Sequence, residues 1–146
     1  MDLCLICERA GLAKAGKNPY LIHEFKHSYF VLGDHQYFKG YALVLLKDHV
    51  RELHELPTGV QQALFQEVMV AGKAVFDTFR PWKMNYACYG NGEPHVHWHI
   101  FPRYESEPDR ERQPWLHSAE FKKHLVSDLE RGSLIQAIRG NIQERR

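Results

Sequence analysis

At 146 residues, with 44% hydrophobic and 25% charged side chains, the chain has the size and balance of a single globular domain able to bury a genuine core. A formal net charge of +1 gives no reason to expect bulk electrostatic binding of nucleic acid, and no apolar run approaches the roughly 18 residues of a membrane span. The start, Met1-Asp2-Leu3-Cys4, lacks the basic region and long apolar core of a signal peptide, so a cytoplasmic protein is expected.

Three cysteines, an odd number in a chain without secretory features, argue against a disulfide framework. Cys4-Leu5-Ile6-Cys7 is a C-x-x-C pair, which can be half a zinc site, a redox pair or simple packing. A redox pair belongs after a strand and at a helix start, which a place so near the first residue disfavours. Residues 8 to 18, rich in Lys, Gly and Ala, read as a short helix or loop. Tyr20 to Phe25 and Ser28 to Leu32 read as a hairpin, broken after the second strand by the turn formers Gly33-Asp34-His35-Gln36. Gly40 to Leu46 is continuously apolar, as a buried strand should be.

Pro57-Thr58 opens the longest periodic segment. Val60, Leu64, Val68, Ala71, Val75 and Phe79 form one apolar stripe on a helix that should end at Arg80, before Pro81. Trp82 to Tyr89 reads as a strand, with Cys88 as core, and Gly90-Asn91-Gly92-Glu93-Pro94 turns the chain back. A glycine-containing turn between strands lets backbone N–H groups approach phosphate closely.

The next stretch is Pro94-His95-Val96-His97-Trp98-His99-Ile100-Phe101-Pro102-Arg103. On a strand, the spacing of two sends all three imidazoles to one face and Val96 and Trp98 to the other. Such a row suits a metal site, since neutral imidazole is a common ligand, or nucleophilic attack on phosphorus through a phospho-histidine. A merely polar face fits poorly beside Trp98 and Ile100-Phe101. Beyond Arg103, Tyr104 to Gln113 is charged. Ser118 should cap a helix carrying Phe121, Leu125 and Leu129 and ended by Gly132, and Ser133 should cap another with Leu134, Ile135, Ile138 and Ile142.

The run from His95 to Arg103 resembles the signature of the histidine triad (HIT) family of nucleotide hydrolases and transferases. Gly40-Tyr41-Ala42-Leu43-Val44-Leu45-Leu46-Lys47-Asp48-His49 is similar to the family's Gly-led strand ending in Lys-x-His, and Asn91-Gly92-Glu93-Pro94 to its loop before the triad. The resemblance implies an α+β, HIT-like fold: an antiparallel sheet of about five strands covered by a long helix, with C-terminal helices. The whole chain, 1–146, would be one domain, with a core of about 1–104 and a helical extension of about 114–146. It further implies that His97 attacks the α-phosphorus of a nucleotide, leaving a nucleotidyl-histidine that water hydrolyses. His99 would donate to a phosphate oxygen or the leaving group, and His95 would orient its neighbours or bind zinc.

Asn91 would hydrogen-bond phosphate, although a turn residue beside glycines needs no such role. Asp34 would hold ribose hydroxyls, although its offset from Gly40 differs by one residue and a turn Asp is as ordinary. Arg103 would assist the anion or form a surface salt bridge. In some relatives, and in the related galactose-1-phosphate uridylyltransferases, a C-x-x-C pair is completed by two histidines; here Cys4, Cys7, His49 and His95 would make a structural Cys2His2 zinc site, against packing cysteines as the alternative. No organic cofactor is implied. Pro114-Trp115 would fold back near the site, and most similar proteins are homodimers. The pattern most resembles bacterial diadenosine polyphosphate hydrolase-like members, so a dinucleoside polyphosphate or a nucleoside phosphoramidate is the expected substrate. The third His, where transferases have Gln, favours hydrolysis. The alternatives are a nucleotidyltransferase, a non-catalytic purine nucleotide-binding module, and a metal-dependent enzyme using the triad as ligands.

Overall fold

β-branched and aromatic residues pair where the alternation places them. The structure, a computed structural model, describes residues 3–144. β1 (Leu21–Glu24) and β2 (Ser28–Leu32) form the hairpin, and β3 (Ala42–Leu46) pairs with β2 along its whole length. β4 (Lys83–Ala87) and β5 (His97–Arg103) complete an antiparallel sheet in the order β1-β2-β3-β5-β4. The triad strand therefore lies inside the sheet, and β4 is an edge.

Helix α2 (Thr58–Phe79) covers one face. Leu64, Val68, Ala71 and Val75 pack against Phe30, Leu32, Val44 and Ile100, all 0–2% exposed. Its end follows the sequence: Arg80 closes it in the left-handed conformation (φ 49°), ahead of Pro81. Gly72 lets the helix settle on β4, since a Cβ there would meet the Tyr86 hydroxyl at 2.2 Å. Buried Glu67 ties α2 to the hairpin, accepting from Ser28 Oγ at 2.6 Å and from the His27 N–H at 3.1 Å.

The opposite face carries α1 (Leu5–Lys14), so residues 8 to 18 are largely helical. Ile6, Ala10 and Ala13 pack on Tyr29, Val31 and Leu45, and Cys4 Sγ caps the helix by accepting from the Cys7 N–H at 3.3 Å. Farther along that face Phe38, Tyr41, Phe101 and Phe121 form an aromatic layer.

Two expectations are corrected. The predicted helix from Ser118 to Gly132 stops after one turn, as α3 (Ser118–Phe121), because Phe121 is drawn into the aromatic layer while Leu125 and Leu129 stay 71% and 85% exposed. The final helix, α4 (Asp128–Arg139), is capped by Ser127, whose Oγ accepts from the Glu130 N–H at 3.1 Å, and runs straight through Gly132 and Ser133. The triad segment is not strand throughout either. β5 begins at His97, and His95 lies in the preceding turn, where its N–H donates to the Glu93 carbonyl at 2.7 Å.

Candidate functional site

Register decides which side chains meet. β5 pairs with β3 so that His97 lies opposite Leu45 and His99 opposite Leu43, placing both imidazoles on the α1 face with ring centroids 5.0 Å apart. His97 is 7% exposed, and its Nδ1 stands 2.6 Å from the His95 carbonyl oxygen. A carbonyl only accepts, so Nδ1 carries the proton and Nε2 keeps a free lone pair. That is the tautomer a nucleophile needs.

His99 is set the other way. Burial, reinforced by repulsion from His97 and His35, lowers its pKa to about 3, so the ring is neutral. Its Nδ1 lies 2.7 Å from the Tyr41 hydroxyl, and burial raises the Tyr41 pKa and keeps that phenol protonated. With Tyr41 donating to Nδ1, the proton of His99 sits on Nε2, an outward donor. Tyr41 is fixed by stacking on Phe101 (centroids 4.3 Å, planes 2° apart) and by Gly33, where a Cβ would stand 2.3 Å from the Tyr41 ring. The pair thus presents one lone pair and one N–H side by side. His97 and His99 border two cavities: a cleft of about 500 Å³ bounded by Tyr89, Asn91, Glu93 and Trp115, and a pocket of about 190 Å³ under α1 that includes Arg9, Asp34 and Tyr41.

His95 faces neither need. Its Nε2 donates to the Leu46 carbonyl at 2.8 Å, which leaves Nδ1 as the lone-pair atom. That Nδ1 lies 3.4 Å from Cys4 Sγ, 3.5 Å from Cys7 Sγ and 3.1 Å from His49 Nδ1, and Cys7 Sγ is 3.2 Å from His49 Nδ1. All four donor atoms lie within 4.8 Å of one another. Tetrahedral zinc with bonds of ~2.05 Å to N and ~2.3 Å to S has edges of roughly 3.3–3.8 Å. The four contacts of 3.1–3.5 Å lie near those edges and the donors are of the right type, so the cluster could hold a metal ion. It stands at the start of α1 and the entrance to β5.

With this geometry fixed, the comparisons with known proteins become specific. A family model described as "HIT domain" matches residues 16–106. A Bacillus subtilis (strain 168) protein called "Protein hit" is 31% identical over 108 residues, 69% of this chain and 71% of that one. The chain belongs to the HIT family.

Solved HIT structures share the fold. A histidine triad protein from Bradyrhizobium japonicum matches with a TM-score of 0.74 at 21% identity, covering 84% of this chain and 90% of that chain. A protein described as a Zn-bound histidine triad family protein from Mycobacterium smegmatis matches with a TM-score of 0.65 at 20% identity, covering 94% and 93%. HIT proteins are nucleotide-binding, and the family includes hydrolases as well as non-catalytic members. No helix among the described residues is long and apolar enough to cross a membrane.

The remaining residues named from the HIT resemblance separate in space. Asn91 borders the cleft, and Asp34 lies at the α1 pocket with its carboxylate 2.5 Å from Arg9. Arg103 borders neither of the two cavities that His97 and His99 share, and it is not on the surface. It is 2% exposed, donating from Nε to Glu107 at 3.1 Å and from Nη1 to Asn85 at 2.9 Å and to the Arg112 carbonyl at 2.6 Å. Its work is to hold the strap of residues 104–115 against the sheet. That strap delivers Trp115, whose ring stands edge-on to His99 at 4.9 Å. Cys88 is half-buried against the core, close to the His97 backbone.

Tyr41 escaped sequence reasoning. It lies diagonally across from His99, a relation visible only once the β3–β5 register is known. Glu93 was missed as well; it reaches the Leu5 N–H at 3.3 Å and borders both cavities.

Proposed function

We propose that this HIT protein hydrolyses a nucleotide at its α-phosphorus, with a dinucleoside polyphosphate or a nucleoside phosphoramidate as substrate. The observation that carries the reading is the hydrogen bond from His97 Nδ1 to the His95 carbonyl, which frees Nε2 beside the outward N–H of His99. His97 Nε2 attacks phosphorus, the bond to the leaving group breaks, and a nucleotidyl-histidine forms. The His99 N–H stabilises charge on a non-bridging oxygen. Water then attacks phosphorus, the P–N bond breaks, and His97 is regenerated. Asn91 adds a hydrogen bond to phosphate, and Asp34 takes the ribose hydroxyls by exchanging its partner Arg9. Intact-protein mass spectrometry after rapid acid-free quenching tests this: a nucleotidyl adduct in wild type and none in His97→Ala supports the route. Nucleotide binding without turnover by either substrate would move the non-catalytic module ahead.

The metal we assign to Cys4, Cys7, His49 and His95 is a structural zinc. The donor set supports it: two thiols and two imidazoles, with no atom left over for substrate. When bound, zinc supplies fixed charge and geometry, not a reaction step. His97 and His99 lie outside the set, which separates this reading from a metalloenzyme using all three triad histidines. We also infer a homodimer, built on the outer side of α2, where Phe65 and Phe76 are 50% and 37% exposed.

A further inference from the structure

Resting on the hydrolase reading, we propose that the cleft beside His97 and His99 recognises a positively charged leaving group: an amine that carries an ammonium group of its own. The walls of the cleft carry the inference. Tyr89, Asn91, Glu93, Gln113, Trp115 and Leu116 bound about 500 Å³ next to the two imidazoles, and among the described residues no Lys or Arg joins them. Glu93, His97 and His99 are the side chains that border both this cleft and the α1 pocket. With the nucleoside toward Asp34 in that pocket, the phosphorus lies at the junction and the leaving group extends into the cleft past Glu93.

Glu93 is free to take a cation. Its Oε2 accepts from the Leu5 N–H at 3.3 Å, at the start of α1, and among the described residues it forms no ion pair. Two aromatic faces share the cleft with it. Tyr89 and Trp115, 65% and 37% exposed, meet at 84° with their centroids 5.2 Å apart, two walls of an open cage. A ring face attracts a cation through its quadrupole, and a carboxylate in the same cleft adds Coulombic attraction. An alkylammonium answers both, and exposed Leu116 offers apolar surface to its methylene stem.

A polyphosphate leaving group meets the opposite field. It carries several negative charges, against which the cleft sets one carboxylate and no Lys or Arg among the described residues. Arg9 stands on the nucleoside side, held by Asp34. Arg110 and Arg112 wall the other side of the strap and face Glu105 at 3.6 Å and Asp109 at 4.0 Å. Of the two proposed substrates, the cleft therefore favours the nucleoside phosphoramidate.

Equilibrium binding to the full chain carrying His97→Ala tests the cleft apart from turnover. The probes are three phosphoramidates of adenosine monophosphate, made with cadaverine, pentylamine and δ-aminovalerate, so that chains of similar length end in a cation, a neutral methyl or an anion. The cationic probe should bind about tenfold tighter than the neutral one, the anionic probe weakest, and the spread should shrink as salt is raised. Adding Glu93→Gln, which keeps an acceptor for the Leu5 N–H, should bring the three probes level, and Glu93→Lys should reverse their order. Equal affinity for all three probes in the His97→Ala protein, or an order that survives both Glu93 substitutions, overturns the proposal. Wild-type turnover is scored separately. A charge order in a protein that hydrolyses none of the probes would end the hydrolase reading and leave the ammonium site standing; hydrolysis without a charge order would do the reverse.

Discussion

The two triad imidazoles that border the cleft differ by one proton position, and each position is enforced by a single partner. Tyr41→Phe removes the donor to His99 Nδ1 and frees that ring to take either tautomer. The expected result is a loss of about 10-fold in kcat with nucleotide affinity little changed, measured by steady-state kinetics beside equilibrium binding. His99 also leaves a mark on stability. Its pKa is about 3 in the folded chain against an ordinary 6.5, so between those values the unfolded chain takes up a proton that the folded chain refuses. The fold keeps this contribution above pH ~6.5 and loses it as pH falls toward 3, by at most about 1.4 kcal/mol per pH unit. Urea melts from pH 7 to pH 5 should fall more steeply for wild type than for His99→Gln. At this scale the chain was readable where residue type and spacing suffice: the three histidines, and the Cys4-Cys7 pair. Tyr41 was not, because its part depends on which residue of one strand faces which residue of another.

Between residues and fold stands the strap of residues 104–115. Arg103 Nε and Nη1 pin it to Glu107, Asn85 and the Arg112 carbonyl, and Trp115 follows. Arg103→Met should loosen the strap by removing three charge-assisted hydrogen bonds and leaving Glu107 with the Tyr104 N–H but without its cation, at a cost of about 2–4 kcal/mol in a thermal or urea melt. Quenching of Trp115 fluorescence by acrylamide should rise in parallel. A variant that melts normally with Trp115 still protected would show that the strap is held by other contacts. The long helix α2 was legible to within a residue, since six apolar positions repeat with one period and Pro81 blocks its extension. The C-terminal helices were not. Leu125 and Leu129 mimic a stripe but face solvent, whereas Ser127-x-x-Glu130, a local capping signal, marks the true start.

Across the molecule, the Cys4, Cys7, His49 and His95 cluster joins α1, the segment after β3 and the turn before β5, which are distant in sequence. Chelation of bound zinc should therefore lower Tm for the whole domain. Elemental analysis should find about one zinc per chain in wild type and His97→Ala, and a loss in His49→Ala. Loss of zinc in His97→Ala alone would contradict this division of labour. Assembly is checked by light scattering: Phe65→Asp with Phe76→Asp should convert a dimer to a monomer, and a wild-type monomer would remove the dimer proposal. The fold class and the meeting of Cys4, Cys7, His49 and His95 could be anticipated because they rest on sequence pattern and family resemblance. The charge of the cleft could not, being set where a turn and a strap with no shared motif come together.

The acceptor that orients His97 is the peptide carbonyl of residue 95, not a side chain. Every amino acid placed at that position supplies the same oxygen. Genetic change there can dismantle the Cys4, Cys7, His49 and His95 cluster, yet it has no means of deleting the group that orients His97. Only a shift of the turn itself can do that, so this part of the chemistry is inherited with the backbone path and is insulated from point mutation.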